Sequence, residues 1–170
     1  LALHTRSTRY LSVMANGQPR HDLQGQAVEA LAPEHIHHAL LEVFRRRQQR
    51  SNEDLQPKLR QRIVQALQAS GLSREAYAEL VRGRNEQANA VLDAALAEAA
   101  ARDARDEALL RTFEASGQSD ASAFAAMYGL HPREVSQSLA RAQQRQAALR
   151  AAQATPTPAE TPADNTAAAA

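Results

Sequence analysis

Cysteine is absent from the 170 residues of this chain, which excludes disulfide staples, thiolate metal sites and cysteine nucleophiles together. Aromatic residues make up only 4%, so bulky core-formers and strand-formers are scarce and the core should be thin. Net charge is nearly absent too. Twenty basic residues stand against nineteen acidic ones, giving +1, so no overall field draws the chain to nucleic acid or anionic lipid, and any such binding must come from a local patch. No apolar run approaches the roughly 18 to 20 residues that span a bilayer. Neither a glycine-rich phosphate loop nor a serine on a glycine elbow is present. No enzymatic activity and no cofactor are therefore expected.

What the chain does have is alanine, glutamine and helix punctuation. Ala69-Ser70-Gly71-Leu72-Ser73 is nearly repeated as Ala115-Ser116-Gly117-Gln118-Ser119. In each, a glycine suited to a left-handed helix end is followed two residues later by a serine that can cap the next helix. The reading is all-α: helical hairpins forming a small bundle over residues 22–151, a flexible N-terminal arm over 1–21 and a disordered Ala/Pro/Thr-rich tail over 152–170. The arm reads as a short extended piece docked on the body, since Asn16-Gly17 and Gln18-Pro19 are turn signals. Helices are expected over Leu23–Leu31 and from Pro33, the latter carrying Ile36, Leu40, Leu41 and Phe44. Ser51-Asn52-Glu53-Asp54 resembles a capping box ahead of a stripe of Leu55, Leu59, Ile63, Val64 and Leu67. A long helix starts at Ser73 with Gly83 inside it, and the residues leave open whether 74–115 is one helix or two. Two last helices are expected over Ser119–Met127 and Pro132–Ala151.

Four groups of residues could carry chemistry. Arg45, Arg46, Arg47 and Arg50 form the strongest basic cluster, extended by Lys58, Arg60 and Arg62. It could hold phosphate or an acidic partner, although such a run is more often a solvated helix end. Ala125, Gly129 and Val135 have helix-turn-helix spacing over about residues 119–145, which would make Arg133, Gln137, Arg141 and Arg145 the nucleic-acid-reading positions of a DNA-binding regulator. Against this, Glu134 would oppose phosphate, Ser138 stands where an apolar residue is expected, and the net charge is near zero. His35, His37 and His38 beside Glu34 offer imidazoles without a third strong ligand, so no metal site is expected. Asp103, Asp106 and Glu107 lie among Arg102, Arg105 and Arg111 at spacings that form ion pairs within a helix.

The run Val64-Gln65-Ala66-Leu67-Gln68-Ala69-Ser70-Gly71-Leu72-Ser73-Arg74-Glu75-Ala76-Tyr77 resembles the Gly-Leu-Ser-x-x-x-Tyr signature of a bacterial domain of unknown function found in exported helical proteins. The resemblance covers about residues 31–98. It implies an envelope or periplasmic protein and brings no catalytic residues. The expectation is thus a non-enzymatic helical module with a protein partner, exported to the bacterial envelope. The alternative is a cytoplasmic DNA-binding regulator. Leu1-Ala2-Leu3 is too short for an intact signal peptide core, which leaves both a removed leader and a fragment open.

Overall fold

The computed structural model describes residues 6–21 and 24–154. Among them are seven helices and one two-stranded ribbon, in the order α1 (Thr8–Ala15), β1 (Arg20–His21), β2 (Ala27–Glu29), α2 (Pro33–Gln48), α3 (Gln56–Ser70), α4 (Arg74–Val81), α5 (Glu86–Ala115), α6 (Ala121–Tyr128) and α7 (Pro132–Ala154). The all-α reading holds, with the ribbon as its one addition. No helix among the described residues is long and apolar enough to cross a membrane. Of the tail expected over 152–170, residues 152–154 continue the last helix instead, and the rest lies outside the described residues. The chain forms two compact units, Leu1–Ala101 and Arg102–Ala170, and the helical span expected over 22–151 falls across both.

In the first unit, the segment expected as an extended arm docks as a helix. Ser7 Oγ accepts from the Tyr10 amide at 3.2 Å and opens α1, satisfying one of the orphan amide donors of a helix start. α1 then packs along α2 and adds Ala15, with Leu11 and Met14 beside it, to the core. The helix expected over Leu23–Leu31 is replaced in its second half by β2, which pairs antiparallel with β1 through a bulge. Propensity alone had favoured helix there; pairing with a second strand overrides it.

Pro33 does begin α2, where its missing amide hydrogen costs nothing. The predicted face of Ile36, Leu40, Leu41 and Phe44 meets the core, but His37, Ala39 and Val43 are buried as well. The reason is position: α2 touches α1, α3 and α4, so three sides of one helix need apolar cover. α3 buries Leu59, Ile63, Val64 and Leu67 as its spacing predicts. Its approach is held differently from a capping box. Gln48 stitches the turn by donating to the Glu53 carbonyl and accepting from the Leu55 amide, while Asp54 Oδ1 accepts from the Gln56 amide.

Gly71 ends α3 at φ +69°, and Ser73 Oγ accepts from the Ala76 amide to open α4, as the punctuation predicts. A Cβ at Gly71 would meet nothing within 4 Å, so the cost of Gly71→Ala is backbone strain alone. The substitution is expected to destabilise the fold by about 1 kcal/mol, measurable as a lowered denaturation midpoint; an unchanged midpoint would contradict it.

Gly83 lies in the link between α4 and α5, not within a helix, and residues 74–115 form two helices. Asn89 secures that link, its side chain bonding both the amide and the carbonyl of Gly83. α5 is a single 30-residue helix. Its earlier part contributes Leu92, Ala95 and Ala99 to the first core, the alanines permitting close helix approach.

The second unit has its own core of Leu110, Phe124, Ala125, Val135, Leu139 and Ala142. α6 opens on Asp120, not on Ser119: both Asp120 carboxylate oxygens accept amide hydrogens, from Ser122 and Ala123. Its two oxygens satisfy two of the orphan amides of the helix start, where a single hydroxyl oxygen serves one. Gly129 closes α6 at φ +66°, and Pro132 starts α7.

Candidate functional site

The basic cluster at the end of α2 divides into spent and available cations. Arg45 donates twice to Glu42, at 2.8 and 3.0 Å, and Arg46 Nε donates to the same carboxylate at 2.7 Å. Hydrogen bonding from Arg45 first, and then from Arg46, holds the Glu42 carboxyl down at about 2 against the desolvation that opposes it. Arg46 also donates to the Arg6 carbonyl and to Thr8 Oγ1, fastening the start of α1. Neither arginine is therefore a loose phosphate contact. Arg47 and Arg50 are exposed, and neither has a carboxylate partner among the described residues. Arg60 pairs with Glu98 at 2.6 Å, and Lys58 pairs with Glu53 at 3.0 Å.

Arg62 has another task. Its Nη2 donates to the Ala15 carbonyl at 3.2 Å and to Asn16 Oδ1 at 2.7 Å, closing the C-terminal end of α1, where orphan carbonyls and the helix dipole favour a cation. Both acceptors are neutral, so the charge of Arg62 is not cancelled. Between α1, α2 and α3 these groups surround a groove of about 310 Å³ whose lining includes Arg47, Lys58 and Arg62 over Leu40, Val43 and Phe44. No carboxylate among the described residues lines it. A wider groove of about 950 Å³ on the other side of α2 carries His35, His38, Arg45 and Arg60 but also Glu34 and Glu42. Its mixed charge gives no preference for an anion.

The helix-turn-helix positions separate. Val135 and Leu139 are buried, and Arg133 and Gln137 are exposed, as that spacing predicts. Arg141, however, donates to both oxygens of Asp106 at 2.8 and 2.9 Å, and Arg145 contacts Asp103 at 3.0 Å and Asp106 at 3.6 Å. Asp106 is 3% exposed. Burial pushes its carboxyl upward, but the hydrogen bonds from Arg141 and Ser138 and the charges of Arg141 and Arg145 prevail and lower it overall. The four residues therefore form no common open face, because two of them hold α7 against the acidic face of α5. Sequence reading placed Asp103 and Asp106 in pairs within α5; their partners come instead from a helix thirty-five residues on.

The three neighbouring histidines also separate. His35 and His38 are exposed, while His37 is 3% exposed and its Nδ1 lies 3.0 Å from Tyr77 Oη on α4. Among the described residues no three histidine or carboxylate side chains gather as a metal-binding group. The signal for α1 was present in the sequence and passed over: Ser7 and Gly17 bracket Tyr10, Leu11 and Met14 at helical spacing.

The fold and its charges define a helical protein whose first unit carries a groove rimmed by cations and floored by apolar side chains. A protein-family model described as the ProQ/FINO family matches residues 1–56, the span from α1 through the ribbon and α2 to the start of α3. No curated protein and no solved structure gives a significant match.

Proposed function

We propose that the first unit binds RNA as a non-enzymatic, chaperone-type protein, in place of the DNA-reading and envelope-interaction expectations drawn from the sequence. The observation that carries this reading is the ProQ/FINO likeness over residues 1–56, a family likeness that also favours a cytoplasmic over an exported setting. Charge supports it. Residues 1–50 contain seven arginines and no lysine against four acidic residues, a local excess of three cations in a chain that is nearly neutral as a whole. Arg9, Arg47 and Arg50 are exposed on or just after the helices of this span, and each guanidinium can take a phosphate through two parallel hydrogen bonds.

The test is a fluorescence-anisotropy titration of the full chain with a structured RNA carrying an unpaired end, over a series of salt concentrations. Binding is expected to weaken steeply with salt. The double variant Arg47→Ala/Arg50→Ala should bind roughly tenfold more weakly and lose about one to two units of salt slope, since each phosphate contact contributes close to one. Undiminished binding in that variant, or affinity indifferent to salt, would overturn the reading.

A further inference from the structure

The groove between α1, α2 and α3 combines features that no structural role requires together. Its floor is aliphatic, with Leu40, Val43 and Leu59, and the half-buried ring of Phe44 forms one wall. Its rim carries three cations, Arg47, Lys58 and Arg62, and among the described residues its lining includes no carboxylate. Arg47 has no carboxylate partner among the described residues, and Arg62 spends two hydrogen bonds on neutral oxygens while keeping its charge. Among the described residues Lys58 is held by Glu53 alone, in a pair exposed on both sides, 66% and 65%, the kind of pair that costs little to break. A ligand suited to this site has one flat apolar part and one compact anionic part. At about 310 Å³ the groove lies at the small end of the roughly 300–1,000 Å³ range of ligand pockets. It has room for a single unit of a polymer, not for a duplex.

We propose that this groove is a binding site for one unstacked nucleotide, with the base against Phe44 and the aliphatic floor and the phosphate between Arg62, Lys58 and Arg47. Bases taken out of a stack bind proteins in this way, by stacking on aromatic or planar groups while cations hold the backbone. The nucleotide can come from an unpaired position in an RNA strand or from a free nucleoside monophosphate. Only the first source rests on the RNA reading above. Occupation also bears on the fold: the same guanidinium, Arg62, would serve the phosphate and the carboxyl end of α1, so ligand binding should tighten α1 onto α2 and α3.

The experiment is a titration of the isotopically labelled full chain with AMP, followed by amide and arginine Nε resonances, with adenosine and inorganic phosphate as separate probes. AMP is expected to shift the signals of Phe44, Arg47, Leu59 and Arg62 and to slow amide exchange in α1. Adenosine and phosphate should each bind at least tenfold more weakly, because each fills only one half of the site. Lys58→Gln and Phe44→Leu should each weaken AMP about five- to tenfold. Arg62→Gln should do so too, and since that change also loosens α1, Lys58→Gln, at a side chain that holds no part of the fold's core, keeps the result interpretable. Shifts confined to other residues, equal binding of AMP and adenosine, or unchanged AMP affinity in Lys58→Gln and Phe44→Leu would each overturn the proposal. So would displacement of AMP by an acidic peptide that binds far more tightly, which would make the groove a protein-docking site. If AMP binds here but RNA does not bind the chain, the site stands as one for free nucleotides and only the RNA reading falls. If RNA binds and no unpaired nucleotide perturbs the groove, this proposal falls and the RNA reading stands.

Discussion

Acidification from neutral pH to pH 4 is expected to destabilise the first unit by roughly 2–3 kcal/mol through one imidazole, that of His37. Burial, assisted by the neighbouring charge of His38, lowers its pKa from 6.5 to about 4. In the folded chain the ring therefore stays neutral over a range in which the unfolded chain would protonate it. The unfolded state binds more protons between those two values, so stability falls as pH drops from 6.5 to about 4 and levels off below. Among the described residues no carboxylate pairs with the ring. His37 packs edge-on to Tyr77 with ring centroids 5.6 Å apart, and the Tyr77 hydroxyl, itself pushed up to about 12 by burial, offers a neutral partner only. Chemical denaturation at half-unit pH steps would show the decline, and His37→Gln, which keeps a hydrogen-bonding group toward Tyr77, should remove most of it. An equally steep decline in that variant would assign the effect to other groups.

Truncating Phe124 should unfold the second unit under mild conditions. The ring is fully buried, stands edge-on to Phe113 at 5.3 Å between centroids and touches Tyr128 at 4.9 Å. It is the largest side chain in a core otherwise built from leucine, valine and alanine. Phe124→Ala is expected to cost about 3–5 kcal/mol, the transfer loss plus a cavity that short helices cannot easily close. Amide hydrogen exchange in α6 and α7 would read this directly, as the opening free energy of those helices. A loss under about 1 kcal/mol would mean the hairpin collapses around the missing ring. The cationic groove is lined by residues of the first unit alone, so nucleotide binding there offers an independent check that the chain is otherwise folded.

Much of the candidate site was legible in part. The cluster Arg45 to Arg50, with Lys58 and Arg62 behind it, stands out in any reading of the sequence, and so does the apolar stripe of α3 that puts Leu59 beneath it. Which of those cations are available was not legible. Arg45 and Arg46 are committed to Glu42 by the ordinary spacing of one helical turn, a relation the sequence contains, yet whether such a pair forms depends on what else competes for the side chains. That Arg62 meets the end of α1 depends on a contact across forty-seven positions. The groove itself exists only because three helices converge.

Helix ends were the part that the sequence determined. Pro33, Gly71, Ser73, Gly129 and Pro132 each mark a terminus by a local rule, a fixed or freed φ angle or a side-chain oxygen within reach of its own backbone, and the structure places termini at all five. Tertiary structure decided what could not be settled within one turn of chain. A three-residue strand at Ala27–Glu29 needs a partner strand before it is better than helix. His37 is buried while His35 and His38 remain exposed, because α2 has neighbours on three sides. Asp106 is drawn away from its own helix because Arg141 and Arg145 arrive on another. Local rules act through bonds and torsions a few residues apart and are therefore written in the sequence order. Burial and charge pairing act through space, and the distances that set them exist only once the chain has folded.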